Sequence, residues 1–152
     1  MHCPICPPES SEMVLGDVEH SLKLGEHTFT GMLRGYLCPG CKVQNYIPGP
    51  EAHRFELAIA AHLAYVGKPT GEMVAFIRKS LGHPAGELAK LLDLSPEHLS
   101  RMEHGKRDID RRIWALLGAL AIDAHKGNTA TLIRLQKLAL GQPAPETVKV
   151  DL

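Results

Sequence analysis

The chain has 152 residues and a mass of 16.6 kDa, room for one ordinary domain or two very small ones. Hydrophobic residues make up 44% and charged residues 22%, which excludes collagen-like, coiled-coil and wholly disordered chains. Seventeen basic side chains balance seventeen acidic ones, which excludes a uniformly basic coat but leaves room for a basic face. The start Met1-His2-Cys3-Pro4 carries no basic-then-apolar leader, and no stretch approaches the ~18 apolar residues of a membrane span, so a cytoplasmic protein without membrane contact is expected.

In chain order, Cys3-Pro4-Ile5-Cys6 comes first. Apolar and polar residues then alternate over 13–37, as in Leu22-Lys23-Leu24, and Gly16, Gly25, Gly31 and Gly35 interrupt them; short strands and turns are expected. Cys38-Pro39-Gly40-Cys41 follows, with Gly40 easing the bend of the backbone. Beyond Pro50, Ala52, Phe55, Ile59, Leu63 and Val66 recur at three and four residues and predict an amphipathic helix. Gly67-Lys68-Pro69-Thr70 breaks it and is expected to act as a hinge. Five helical segments are expected after it, the last over about 128–140 with Gly141 as its stop, before a Pro-containing tail. The expected division is therefore 1–50, a cysteine-bearing module; 51–70, a connecting helix and hinge; 71–141, a helical domain; and 142–152, a flexible tail.

Charge divides the same way. Residues 1–50 carry Lys23, Arg34 and Lys42 against Glu9, Glu12, Asp17, Glu19 and Glu26, a net of minus two. Over 71–112 the eight basic groups exceed the acidic ones by one.

Two C-x2-C pairs in a chain expected in a reducing compartment read as a tetrahedral zinc site made by Cys3, Cys6, Cys38 and Cys41. Thiolates three residues apart reach one ion at about 2.3 Å each, and two such pairs close the tetrahedron. One structural zinc per chain is expected, because a segment of this size with few large apolar groups buries too little surface to offset chain entropy, and bound zinc contributes ~10 kcal/mol or more. The competing readings are a redox pair, which calls for a single CxxC in a βαβ setting, and incidental free thiols. The 31 residues between the pairs exceed the spacing of common zinc modules, and a β-meander would fill them. His2, His20 and His27 are not needed as ligands once four thiolates hold the ion.

In the second half Val74, Ile77 and Leu81 form one apolar stripe, Leu88, Leu91 and Leu92 a second, Leu99 and Met102 a third, and Ile113, Leu116, Leu117 and Leu120 a fourth. Four short helices in under 50 residues fit a compact bundle. Pro84 suits the first turn of the second, and Ser95-Pro96-Glu97 starts the third with Ser95 as N-cap. The link Asp93-Leu94 forces a sharp crossing, which is helix-turn-helix geometry.

The stretches Glu87-Leu88-Ala89-Lys90-Leu91-Leu92-Asp93-Leu94-Ser95 and Leu99-Ser100-Arg101-Met102-Glu103-His104-Gly105-Lys106-Arg107 closely resemble the Xre or Cro family of helix-turn-helix domains. The resemblance implies that Ala89 permits close helix approach, that Gly105 ends the third helix, and that Arg78 pairs with Glu103. DNA binding in this manner places the third helix in the major groove. Pro96, Glu97, His98 and Arg101 are the expected outward residues, with Arg101 positioned for bidentate contact to guanine. Glu97 either accepts from cytosine or serves the helix start, and Ala85 stands where the family often has a polar DNA contact. Lys79, Lys106, Arg107, Arg111 and Arg112 are the expected phosphate contacts.

The combination of a four-cysteine module, a connecting helix and an Xre-type domain resembles the MqsA antitoxin family, including its YgiT-type zinc-finger relatives, over about residues 1–120. The implied fold is α+β: a small β-rich N-terminal zinc module, the connecting helix, and an all-α domain of about five helices. The implied function is that of a transcriptional repressor and antitoxin, with the zinc module on a cognate toxin and a homodimer on a palindromic double-stranded operator. The alternative is a stand-alone Xre-type regulator whose zinc module is structural or docks another protein. The dimer interface is expected after residue 108, where Leu132, Leu135 and Leu138 read as exposed apolar positions. HExxH, P-loop and GxSxG patterns are absent and His53 and His62 lack a third ligand, so neither an enzyme nor a small-molecule substrate is expected.

Overall fold

A computed structural model of the chain describes residues 1–10, 12–42 and 45–151. The fold is α+β, with an antiparallel sheet in the order β1 (Val14–Leu24), β2 (His27–Leu37) and β3 (Asn45–Tyr46). Among the described residues six α-helices follow: α1 (Gly49–Leu63), α2 (Gly71–Ser80), α3 (Ala85–Leu91), α4 (Pro96–Glu103), α5 (Arg111–His125) and α6 (Ala130–Ala139). Among the described residues, no helix is long and apolar enough to cross a membrane.

The region expected to hold short strands forms one long hairpin, paired from Val14 with Leu37 to Leu24 with His27. Only Gly25 turns the chain: it has φ 58° in the first position of the two-residue loop, where a type II′ turn places glycine. The other three glycines lie within the strands, where they admit a neighbour instead of reversing the backbone. A Cβ at Gly31 would lie 2.8 Å from the Phe55 ring, and one at Gly35 2.7 Å from the Tyr46 carbonyl oxygen. From Gly16 on, the even-numbered residues of β1 are the less exposed ones, and Leu22, Leu24 and Phe29 pack against the helical core.

That core holds Ile77, Leu88, Leu99, Met102 and Leu117, all inaccessible to solvent, together with Ile59, Ala60 and Leu63 of α1. The helix expected to be a connector is thus part of the bundle. Gly118 of α5 lets α1 approach closely, since a Cβ there would sit 2.9 Å from that of Ala64, and Trp114 Nε1 donates to the Val66 carbonyl at 2.9 Å. Residues 67–70, expected to act as a hinge, turn a corner between helices that share one core. Gly and Pro mark where a helix ends; whether its flanks pack is set by the apolar faces on either side.

Thr70 caps α2 by accepting from the Met73 amide, and Gly71 lies so close to α4 that a Cβ would strike the carbonyl oxygens of Met102 and Glu103. Leu92 to Ser95 link α3 to α4, a longer link than the two residues expected, because α3 ends at Leu91. Leu94 N–H donates to the Ala89 carbonyl at 2.8 Å, and Asp93 takes the left-handed φ of 55°. Such a backbone costs a β-branched residue more than Asp and Gly least. Asp93→Val should therefore lower stability by about 1–2 kcal/mol in urea denaturation, while Asp93→Gly should preserve or raise it.

α6 is held at its start by Asp123 of α5, whose Oδ2 accepts from the Thr131 amide at 3.0 Å and hydroxyl at 2.6 Å. These bonds hold the Asp123 carboxyl below its usual range, the hydroxyl contributing most. Leu135, expected to be exposed, is only 9% accessible because α6 turns it into the core, where Leu132 also packs; Leu138 remains at 64%.

Candidate metal centre and candidate nucleic-acid interface

Cys3 and Cys6 approach Cys38 and Cys41 because the hairpin returns the chain beside its own start. Met13 N–H donates to the Met1 carbonyl at 3.0 Å, and Lys42 N–H closes the second pair onto the Cys38 carbonyl at 3.0 Å. The left-handed residue of that knuckle is Lys42, φ 57°, one past Cys41, not Gly40 before it. The four Sγ atoms lie within 4.8 Å of one another, with Cys3 to Cys41 at 3.8 Å and Cys6 to Cys38 at 3.6 Å. Four sulfurs about 2.3 Å from a central ion sit about 3.8 Å apart in a tetrahedron, so the donor set fits a zinc-sized cation. Around them, Met13 and the two buried cysteines form a separate small cluster flanked by Tyr36. The Cys6 thiol is pushed up to about 12, chiefly by its hydrogen bond with Cys38 and then by burial and by the other thiols. A cation bound there displaces the Cys6 proton.

The residues of the second half fall on α4 and around it. Leu99 and Met102 anchor α4 in the core, while Pro96, Glu97 and Arg101 are exposed and His98 is half-buried. Ser95 caps the helix, its Oγ accepting from the His98 amide at 3.1 Å, so the helix start has its cap without Glu97. At the other end Gly105 takes φ 67° and Lys106 N–H donates to the Arg101 carbonyl at 2.8 Å, stopping the helix before the exposed Lys106 and Arg107. Arg78 Nε donates to Glu103 Oε1 at 2.6 Å and its Nη2 to Oε2 at 3.2 Å, bracing α4 against α2.

Lys79 and Arg111 are exposed. Arg112 is exposed as well, and it also pairs locally: Nε and Nη2 donate to the two oxygens of Asp110 at 3.2 and 3.0 Å, and its amide donates to Oδ1 at 2.7 Å. Asp110 is the N-cap of α5, and these bonds, the guanidinium first, hold its carboxyl down at about 2. The pattern Asp110-Arg111-Arg112 at a helix start could have flagged this cap. No local pattern signals the placement of the hairpin tip, which lies beside the end of α4. Gly25, Glu26 and His27 there line an open cleft of about 680 Å³ with Glu72, Glu103 and His104.

No protein-family model matches the chain, and no curated protein matches it in sequence.

Proposed function

We propose that the protein is a DNA-binding transcriptional repressor that presents α4 to the major groove of a palindromic operator as a homodimer, with zinc as the structural ion of the four cysteines. The observation that carries this reading is the two-sidedness of α4: Leu99 and Met102 are fully buried while Pro96, Glu97 and Arg101 project outward beside Lys106 and Arg107. A helix fixed from behind by packing, by the Ser95 cap and by the Arg78–Glu103 pair offers base-reading groups with little freedom left to lose.

In this reading Arg101 contacts a base while Lys79, Lys106, Arg107 and Arg111 contact phosphate. Arg101→Ala is expected to lose about 1–3 kcal/mol of discrimination at one or two base pairs of each half-site. Lys106→Ala should weaken binding to all sequences alike and reduce the slope of log affinity against log salt by about one. Fluorescence titration against operator and scrambled duplexes over a salt series measures both; equal behaviour of the two variants would refute the docking.

The antitoxin role implied by the resemblance remains part of the proposal. It is supported by exposed apolar residues on the cysteine module, where Ile5, Leu15 and Met32 are 65, 58 and 63% accessible. Co-purification with the product of the adjacent gene tests it; a stand-alone regulator would bind operator without such a partner. The reading is non-enzymatic, since an ion held by four thiolates keeps no open coordination position.

A further inference from the structure

The hairpin leaves one edge of β1 without a strand partner among the described residues. Its two-residue loop closes on Leu24 and His27 as a hydrogen-bonded pair, and pairs alternate from there. The backbone N–H and C=O groups of Leu15, Asp17, Glu19, Ser21 and Lys23 therefore point away from β2. These same residues carry their side chains on the outer, solvent-facing side of the sheet, where Asp17 pairs with Arg34 of β2 at 2.9 Å and Glu19 adds an acidic group beside it. Long unpaired edges are templates for a further strand.

The chain also contains an unpaired segment of the complementary kind. After α6, residues 142–151 are exposed throughout and belong to no helix or strand. Their distal part, Thr147-Val148-Lys149-Val150-Asp151, alternates as a strand does, with Val148 at 62% and Val150 at 70% accessibility. Laid parallel along β1 it would put Val148 level with Val18 and Val150 level with His20 on the inner side, and Lys149 on the outer side opposite Glu19. Opposite charges and apolar neighbours on adjacent strands are the pairs that stabilise such an addition.

Reach decides which copy supplies the strand. α6 rests on α3 and α5, whereas β2 rests on α1, so the helical layer lies between the end of α6 and the sheet. The five residues 142–146 extend at most about 18 Å, a short tether against a helical layer whose helices are each about 10 Å across. We propose that Thr147–Asp151 of a second copy of this chain adds to the free edge of β1, and that reciprocal exchange closes a two-fold dimer. This inference stands apart from the DNA-binding reading, because it uses neither α4 nor an operator.

Hydrogen exchange of the metal-replete full chain over a hundredfold range of concentration tests it. The amides of Leu15, Asp17, Glu19, Ser21 and Lys23 should slow by tenfold or more as concentration rises. The full-length variant Val148→Asp/Val150→Asp should abolish that slowing, and Lys149→Glu should weaken it; both change only exposed positions. The inward-directed amides of Val18 and Leu22 serve as controls. Exchange independent of concentration would overturn the proposal, and slow exchange at every concentration would instead place the tail on its own chain. Slowing that persists in the valine variant would show β1 pairing with something other than the tail and would equally overturn it.

Discussion

Cys38→Ser is expected to unfold the cysteine end of the hairpin while leaving the helices intact. The end that holds Cys3, Met13 and Cys38 has a small apolar cluster of its own, whereas structural zinc contributes about 10 kcal/mol or more to folding such a unit. The far end of the same hairpin is secured differently, through Leu22, Leu24 and Phe29 on the helical core. The variant should therefore lose zinc, and amide protection should disappear at residues 14–18 and 33–37 but persist near Leu24 and His27. Helical circular dichroism should change little. Because binding must displace thiol protons, zinc uptake by the unaltered chain should also weaken as pH falls. Elemental analysis, hydrogen exchange and circular dichroism read these outcomes. Less than half an equivalent of zinc in the unaltered chain, or full protection at the cysteine end of the variant, would defeat the assignment.

Glu103→Ala should be costly for a polar change near α4. The Arg78 and Glu103 side chains are only 15% and 9% accessible, and the alanine leaves a half-sequestered guanidinium without its carboxylate. Removing one partner of a buried pair costs about 3–5 kcal/mol, well above what a surface pair contributes. The pair joins residues 25 apart in sequence, so its loss also frees the end of α4 from α2, and operator affinity should fall with stability. Glu103→Gln keeps an acceptor and should lie between. Replacing both partners, as Arg78→Met/Glu103→Leu, should cost less than the sum of the two single changes, because no charge is left stranded. Urea denaturation of the unaltered protein, Arg78→Met, Glu103→Leu and the double variant measures this cycle; a loss below about 1 kcal/mol for Glu103→Ala would show a pair no stronger than a solvated one.

Local chemistry accounts for what was legible in the residues alone. The apolar stripes of α2 to α5 were visible because helical period and core burial coincide, and Leu88, Leu99 and Leu117 are all fully buried. The Ser95 start of α4 was visible because a serine before a proline satisfies exposed amides without any distant help. The four cysteines announced a cluster through their spacing, and their side chains do converge. The Arg78–Glu103 contact came from family resemblance, since nothing within either helix points to a partner 25 residues away.

Tertiary structure decided the rest, because each remaining feature depends on what lies opposite in space. Gly16, Gly31 and Gly35 read as breaks, yet they sit inside two eleven-residue strands and admit Leu37, Phe55 and the Tyr46 backbone. Residues 67–70 read as a hinge, yet Trp114 fastens Val66 and Gly118 admits Ala64, joining α1 to α5 in one core. The sequence by itself determined the periodicities, the caps and the metal-ligand spacing, all of which act within a few residues. Only the folded chain decided which glycines turn and which helices join the core, since those depend on the close packing of groups far apart along the chain.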